Sequence, residues 1–258
     1  MEYSGVERNL RESFRVVARN RIGGEVRELP GVSIASSGVA FQMFNAAFLS
    51  GPVLDENELA RRILLARTHF GARGQQWSYW VCEGWLERAA RRRSRQTFLA
   101  HGLRHSVDLP GMTAECVLAP ARPLPWVEVR RVGNGPERDA FCQIGSLCFH
   151  VPLPWFREVF DNDSVWSTFE AWVGYVDGEP VSTAAIVVGG DALGVYNVAT
   201  VPEHQHHGYA EVVMRAALAD AQRRHGIART ILQSTPAGHR LYERMGYRAV
   251  TKVSVYAT

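Results

Sequence analysis

Lysine is almost missing from this chain: Lys252 is the only one among 258 residues, and arginine carries nearly all the positive charge. The formal net charge is only +3. The one dense basic run, Arg88 with Arg91, Arg92, Arg93 and Arg95, lies in a stretch of helical periodicity, where a solvated helix face explains it better than a nucleic-acid patch. No aromatic stacking platform accompanies it, so nucleic acid is not an expected partner. Cysteine is scarce. Cys82, Cys116, Cys142 and Cys148 show neither CxxC spacing nor the density of a disulfide scaffold, so they are expected to be reduced and mostly buried rather than nucleophilic. Long apolar runs are absent as well. The first thirty residues are studded with Arg and Glu, and the longest later apolar run, 183–188, is far too short to span a bilayer. A cytoplasmic protein with no membrane partner is the expectation.

What remains has the balance of a folded globular protein, with 46% hydrophobic and 21% charged residues. The length exceeds that of a usual single domain, which points to two modules or one enlarged one. Residues 31–48 lean towards strand. Residues 55–70 place Leu59, Ile63 and Ala66 on one helical face behind Asp55 as N-cap. A strand is predicted at 76–82, a helix at 83–100, a turn at Pro110-Gly111 and a strand at 113–118. The proline-rich residues 119–125 (APARPLP) read as a linker, which sets the boundary between residues 1–122 and 123–258.

The second part opens with a strand at 127–132, a turn at 133–136, a helix to about residue 148 and a short helix at 155–160. Strands at 171–176 and 181–188 flank Asp177-Gly178, the strongest hairpin signal in the chain. A strand at 194–201 then leads to a helix at 209–224 with Ala210, Val213, Met214, Ala217, Leu218 and Ala221 along its apolar stripe, and Gly226 follows it. A strand at 230–234, a helix at 237–244 and a strand at 249–256 complete the order β-α-α-β-β-β-α-β-α-β.

The chemistry concentrates in residues 198–214, VATVPEHQHHGYAEVVM, a strand that runs through a glycine-containing bend into an amphipathic helix. Backbone N–H groups at such a helix start lack intrahelical partners and sit at the positive end of the dipole, so an anion can approach them over Gly208 and the small Ala210. Gln205-His206-His207-Gly208-Tyr209-Ala210 resembles the pyrophosphate signature (Q/R)-x-x-G-x-(G/A) of the GNAT superfamily of acyl-coenzyme A N-acyltransferases. Residues 235–250, TPAGHRLYERMGYRAV, resemble that family's closing LYE-x-x-G-(F/Y) segment, with Thr235 and Gly238 standing where many relatives carry Asn and Ala.

The resemblance implies an α+β fold with a mixed sheet: a GNAT fold in the C-terminal half, preceded by a smaller, degenerate GNAT-like α/β domain. Residues 77–81, Gly102-Leu103 and 110–112 look like a stripped second copy without a phosphate loop, expected to shape one wall of the acceptor cleft. It implies Tyr242 as the acid that protonates the leaving thiolate, although a core tyrosine packing a helix on a sheet is the alternative. A phenol, with an ordinary pKa of about 10, can donate towards a thiolate of about 8.5. It implies Asn197, Val198 and Ala199 as backbone contacts for the pantetheine arm. By side-chain alternation, Asn197 and Ala199 should face away from Val198. Residues 205–210 would hold the pyrophosphate, with His206 and His207 near the phosphates. Three histidines at 204, 206 and 207 on one loop point apart, so no metal is expected. A general base is not evident: Asp191 is the nearest candidate, although solvation of a turn explains it better, and His150 and Glu170 are weaker.

The resulting expectation is an N-acyltransferase, most simply an N-acetyltransferase, that uses acetyl-CoA or another acyl-CoA and a small-molecule or peptide amine, with homodimerisation left open. A non-catalytic acyl-CoA sensor or partner module is the alternative.

Overall fold

The computed structural model describes residues 2–133, 135–160 and 162–258, and its first element is one that the sequence patterning does not signal. Helix α1 (Glu2–Arg19) buries Val6, Leu10 and Val16 together with the polar Glu7, Asn9 and Ser13, so its inward face is not apolar throughout. The first part of the chain then supplies β1 (Glu25–Leu29), β2 (Val32–Ser36), β3 (Asn45–Leu49), α2 (Glu56–Gly71), β4 (Ser78–Cys82), α3 (Arg88–Ala100) and β5 (Arg104–Ala114). The second supplies β6 (Glu128–Arg131), α4 (Pro136–Phe149), α5 (Leu153–Val159), β7 (Phe169–Val176), β8 (Glu179–Gly189), β9 (Ala192–Thr200), α6 (Tyr209–His225), β10 (Thr230–Gln233), α7 (Pro236–Arg244) and β11 (Arg248–Ala257).

That second series has the order anticipated from the sequence. The turn expected at 133–136 includes residue 134, which lies outside the described residues. Asp177 and Gly178 both adopt positive φ, 51° and 84°, as the tight hairpin between β7 and β8 requires. Asp55 caps α2 by accepting from the Glu58 N–H. Three expectations in the first part need correction, the first being the strand expected at 113–118, which instead runs Arg104–Ala114. Residues 83–85 form a short 3₁₀ turn, so the helix begins only at Arg88. The Pro110-Gly111 pair lies inside β5 rather than in a turn. There Pro110 pairs with Lys252, opposite an irregular stretch of β11, and its carbonyl accepts from the Ser234 N–H. The register with β11 slips nearby, between Ala249 and Thr251, opposite Met112 and Gly111.

All eleven strands form one sheet in the order β1-β2-β3-β4-β11-β5-β10-β9-β8-β7-β6. The two parts of the chain exchange strands: β11, from the second, pairs with β4 and β5 of the first, while β5 pairs with β10 of the second. One face of the sheet packs against α2 and α3 and, further along, against α6 and α7, with Tyr79, Phe98 and Tyr256 in one cluster and Met112, Met214 and Leu232 in the other. The opposite face carries α1, α4 and α5. Helix α1 crosses both parts, and its buried Asn9 is bonded to Val187, Gly189 and Ala192 carbonyls and to the Tyr196 hydroxyl.

The proline-rich segment has no regular structure, yet it is held in place. The Leu118 N–H donates to the Met245 carbonyl, and Arg215 of α6 donates to the Leu118 carbonyl at 2.7 Å. Among the described residues, no helix is long and apolar enough to cross a membrane.

Candidate cofactor and active site

Strands β9 and β10 run parallel but pair only at Leu193–Thr230 and Gly194–Ile231. Beyond that point β10 stays with β5 and β9 stays with β8, so a wedge opens between them. A bulge in β9 shapes its edge. The register with β8 slips between Thr183 and Ala185, Asn197 takes a positive φ of 49°, and the Thr183 hydroxyl donates to the Asn197 carbonyl at 2.8 Å. Val198 packs in the cluster under α6, while Ala199 packs with Tyr196 in the cluster under α4 and α5, so the bulge interrupts the simple alternation of side chains.

At the mouth of the wedge, the chain leaves β9 through a 3₁₀ turn (Pro202–His204) and bends into α6. Gln205 donates back to the Thr200 carbonyl at 3.2 Å, His206 and Gly208 have φ of 66° and 90°, and the His207 ring stacks on Tyr209. Gly208 is the N-cap, and no side chain caps the helix. The first N–H groups of α6 are therefore left for an anion, in a bend whose successive amides form a concave nest.

The first part of the chain contains the same arrangement in sealed form. Strands β3 and β4 are also parallel and also followed by helices, but there the wedge is closed: the Val53 N–H donates to Trp85, and the Glu87 N–H donates to Val53. The start of α2 is filled by its own carboxylates, with Asp55 accepting from Glu58 N–H and Glu58 from Leu54 N–H, both at 2.9 Å. Arg62 then bonds the Gly51 and Pro52 carbonyls. Capping of this kind takes up the Leu54 and Glu58 N–H groups and sets two carboxylates where a phosphate would have to sit.

Tyr242 lies in α7, which starts just past the open end of β10. Thr235 caps that helix, accepting from the Gly238 N–H. The Tyr242 ring is buried beside Tyr247, and burial pushes its phenol up to about 12, so it holds its proton throughout the neutral range. No hydrogen bond occupies its hydroxyl among the described residues.

The candidate bases do not join this group. Asp191 sits in the β8–β9 turn at the far end of β9, paired with Arg8 at 2.7 Å and Arg229 at 3.1 Å. Its own backbone N–H, together with Arg229 and Arg8, holds its carboxyl below the ordinary value, the reverse of what a base needs. Glu170 is buried, which opposes its charge, but hydrogen bonds from Arg224 and His225 outweigh that and keep it ionised and engaged. His150 is exposed, in left-handed conformation at the end of α4. No group of three or more His, Cys, Asp or Glu is placed to hold a metal among the described residues.

The sequence led to the expectation of a wall from the first part but did not single out the residues that reach this region. On the α4 and α5 side of β9, the connection between β2 and β3 brings Phe41, Met43 and Phe44 into the cluster that holds Ala199 and Tyr196, and the Phe41 and Trp155 rings meet at 5.4 Å. The run of apolar residues at 39–44 was its only signal.

Residues 167–249 match the family model of the acetyltransferase (GNAT) domain, a span that covers the hairpin, the wedge, the bend and α7. No curated protein matches the sequence. Among solved structures, a GCN5-related N-acetyltransferase from Kribbella flavida aligns with 98% of this chain and 95% of its own, at TM-score 0.74 and 19% identity. A GCN5-related N-acetyltransferase from Sphaerobacter thermophilus aligns with 88% of this chain and 76% of its own, at TM-score 0.57 and 14% identity. A tandem GNAT protein from the clavulanic acid biosynthesis pathway covers 99% of this chain and 94% of its own, at TM-score 0.52 and 12% identity. At such identities these likenesses are of fold, and they extend over both parts of the chain. Residues 167–249 thus match a GNAT acetyltransferase domain, and the fold of the whole chain is similar to that of a tandem GNAT protein.

Proposed function

We propose that the protein is an N-acyltransferase that moves an acyl group, acetyl by default, from acyl-coenzyme A to an amine by direct attack. The observation that carries this reading is the contrast between the two wedges: one is sealed by Val53 and capped by Asp55, the other is open and ends on an uncapped helix start at Gly208. Residues 205–210 would take the pyrophosphate on backbone N–H groups, and the free edge of β9 at Asn197, Val198 and Ala199 would align the pantetheine arm.

The amine nitrogen would attack the thioester carbonyl carbon, the C–S bond would break, and the thiolate would leave beside Tyr242. A phenol held near 12 does not transfer its proton fully to a thiolate of about 8.5, so Tyr242 would act mainly as a hydrogen-bond donor that stabilises the leaving sulfur. With Asp191 and Glu170 occupied by arginines, the amine would enter as its free base, and its proton would go to solvent. Residues 123–258 would then be the catalytic part, and residues 1–122 a supporting part whose Phe41 and Met43 wall the acceptor side. A small molecule or a peptide would fit the acceptor role.

The test is release of free coenzyme A thiol from acetyl-CoA in the presence of a mixed amine panel. Amine-dependent release is the expected result. Tight acetyl-CoA binding with no release for any amine would replace this reading with that of a sensor.

A further inference from the structure

The bend between β9 and α6 contains no arginine or lysine: residues 202–210 read PEHQHHGYA. Its basic side chains are histidines, whose charge is conditional, whereas arginine is charged at every physiological pH. A fixed cation nevertheless stands at this bend, and it comes from elsewhere in the chain. A methyl group placed on Gly208 would lie 3.7 Å from Arg122 Nη2 and 3.5 Å from Pro125 Cδ. Arg122 therefore sits over the N-cap glycine of α6, beside the N–H groups left without a cap.

Three features indicate that this placement is built. The segment runs along α6, with Leu118 level with Arg215 in the middle of the helix and Arg122 at its start. It is pinned by the Leu118–Met245 and Arg215–Leu118 hydrogen bonds, and the prolines on either side of Leu124 restrict the backbone beyond Arg122. The guanidinium itself is exposed and has no hydrogen bond or ion pair among the described residues.

We infer that Arg122, delivered by the connection between the two parts, is a ligand of the phosphates of coenzyme A and supplies the fixed positive charge that the bend lacks. This inference rests on the proposed cofactor site. A guanidinium fork beside a helix start adds charge-assisted bonds to a phosphate already held by backbone N–H groups. It also makes the junction of the two parts a component of the cofactor site.

The experiment is calorimetric titration of the full chain with coenzyme A and with 3′-dephospho-coenzyme A, at two salt concentrations. Arg122→Gln should weaken coenzyme A binding by about 10–100-fold and flatten the salt dependence of the affinity, neither of which a folding defect produces. Arg122→Lys should recover part of the loss, and Arg92→Gln, on the distant α3, should change nothing. A penalty that persists with the dephospho form assigns Arg122 to the pyrophosphate, and one that disappears assigns it to the 3′-phosphate. Arg122→Gln with wild-type affinity and salt slope overturns the inference alone, provided that Gly208→Val still loses binding. An unaltered protein that binds no coenzyme A overturns the cofactor site as well.

Discussion

The Tyr242 ring lies directly against Gly238, one turn earlier on the same helix, so that a methyl group on residue 238 would stand 2.6 Å from Cε2 and 3.1 Å from the hydroxyl oxygen. Helical side chains lean towards the N-terminus, and here the lean carries the phenol over a residue with no side chain. The departure from the family pattern at residue 238 thus sets the position of the proposed donor. Tyr242→Phe should lower single-turnover acyl transfer by about 10²–10⁴-fold, roughly 3–5 kcal/mol of barrier, while acetyl-CoA affinity stays within a few-fold. Gly238→Ala should lower the same rate and add little in the Tyr242→Phe background. Fully additive losses would mean that residue 238 acts independently of the tyrosine.

Gly208→Val places a branched side chain at φ 90° and over the proposed phosphate nest. The backbone strain should cost about 1–3 kcal/mol of stability, and coenzyme A binding should be lost. Gly178→Val, at φ 84° in the β7–β8 hairpin with open space around it, imposes a similar strain away from the site. If both variants lose affinity equally, strain rather than blockage is responsible.

Glu7 should give stability a pH dependence of its own. It is buried on α1, and burial raises its carboxyl to about 7, outweighing Arg11 at 3.1 Å, which makes no hydrogen bond to the nearer oxygen. With the folded value above the unfolded one, the contribution is complete below about 4.5 and is lost as pH rises to about 7. Above that, the ionised carboxylate leaves the fold less stable by at most roughly 3 kcal/mol. Urea unfolding of Glu7→Gln should match the wild type at pH 4 and exceed it at pH 8. Lower stability of the variant at pH 8 would show that the Arg11 attraction prevails.

Because β5 and β11 are exchanged, neither part should fold well alone. Residues 123–258 without β5 leave the edges of β10 and β11 unpaired, which favours aggregation. Co-expression of 1–122 with 123–258 should restore a soluble complex that binds coenzyme A, as judged by gel filtration and titration. A soluble, monomeric 123–258 fragment with full affinity would show the exchange to be dispensable.

The sequence by itself determined the features that depend on neighbours along the chain. Asp177-Gly178 had to turn a hairpin because its residues tolerate positive φ, Asp55 had to start a helix, and Gly208 before an apolar stripe had to mark the start of α6. The order of elements after residue 127 follows from the same local rules. What it could not determine depends on partners distant in the chain. Helix α1 sets its apolar residues among seven charged ones, and only the sheet beneath it makes Asn9 a bonded core residue. Pro110-Gly111 has the local chemistry of a turn but is held extended by β11 and β10. Strand exchange has no local signal, because any apolar strand could pair with several others, and the choice is settled by which arrangement buries both faces of the sheet. Arg122 belongs to the same class: its charge is visible in the sequence, and its position beside Gly208 exists only because Leu118 is fastened to α6 and α7.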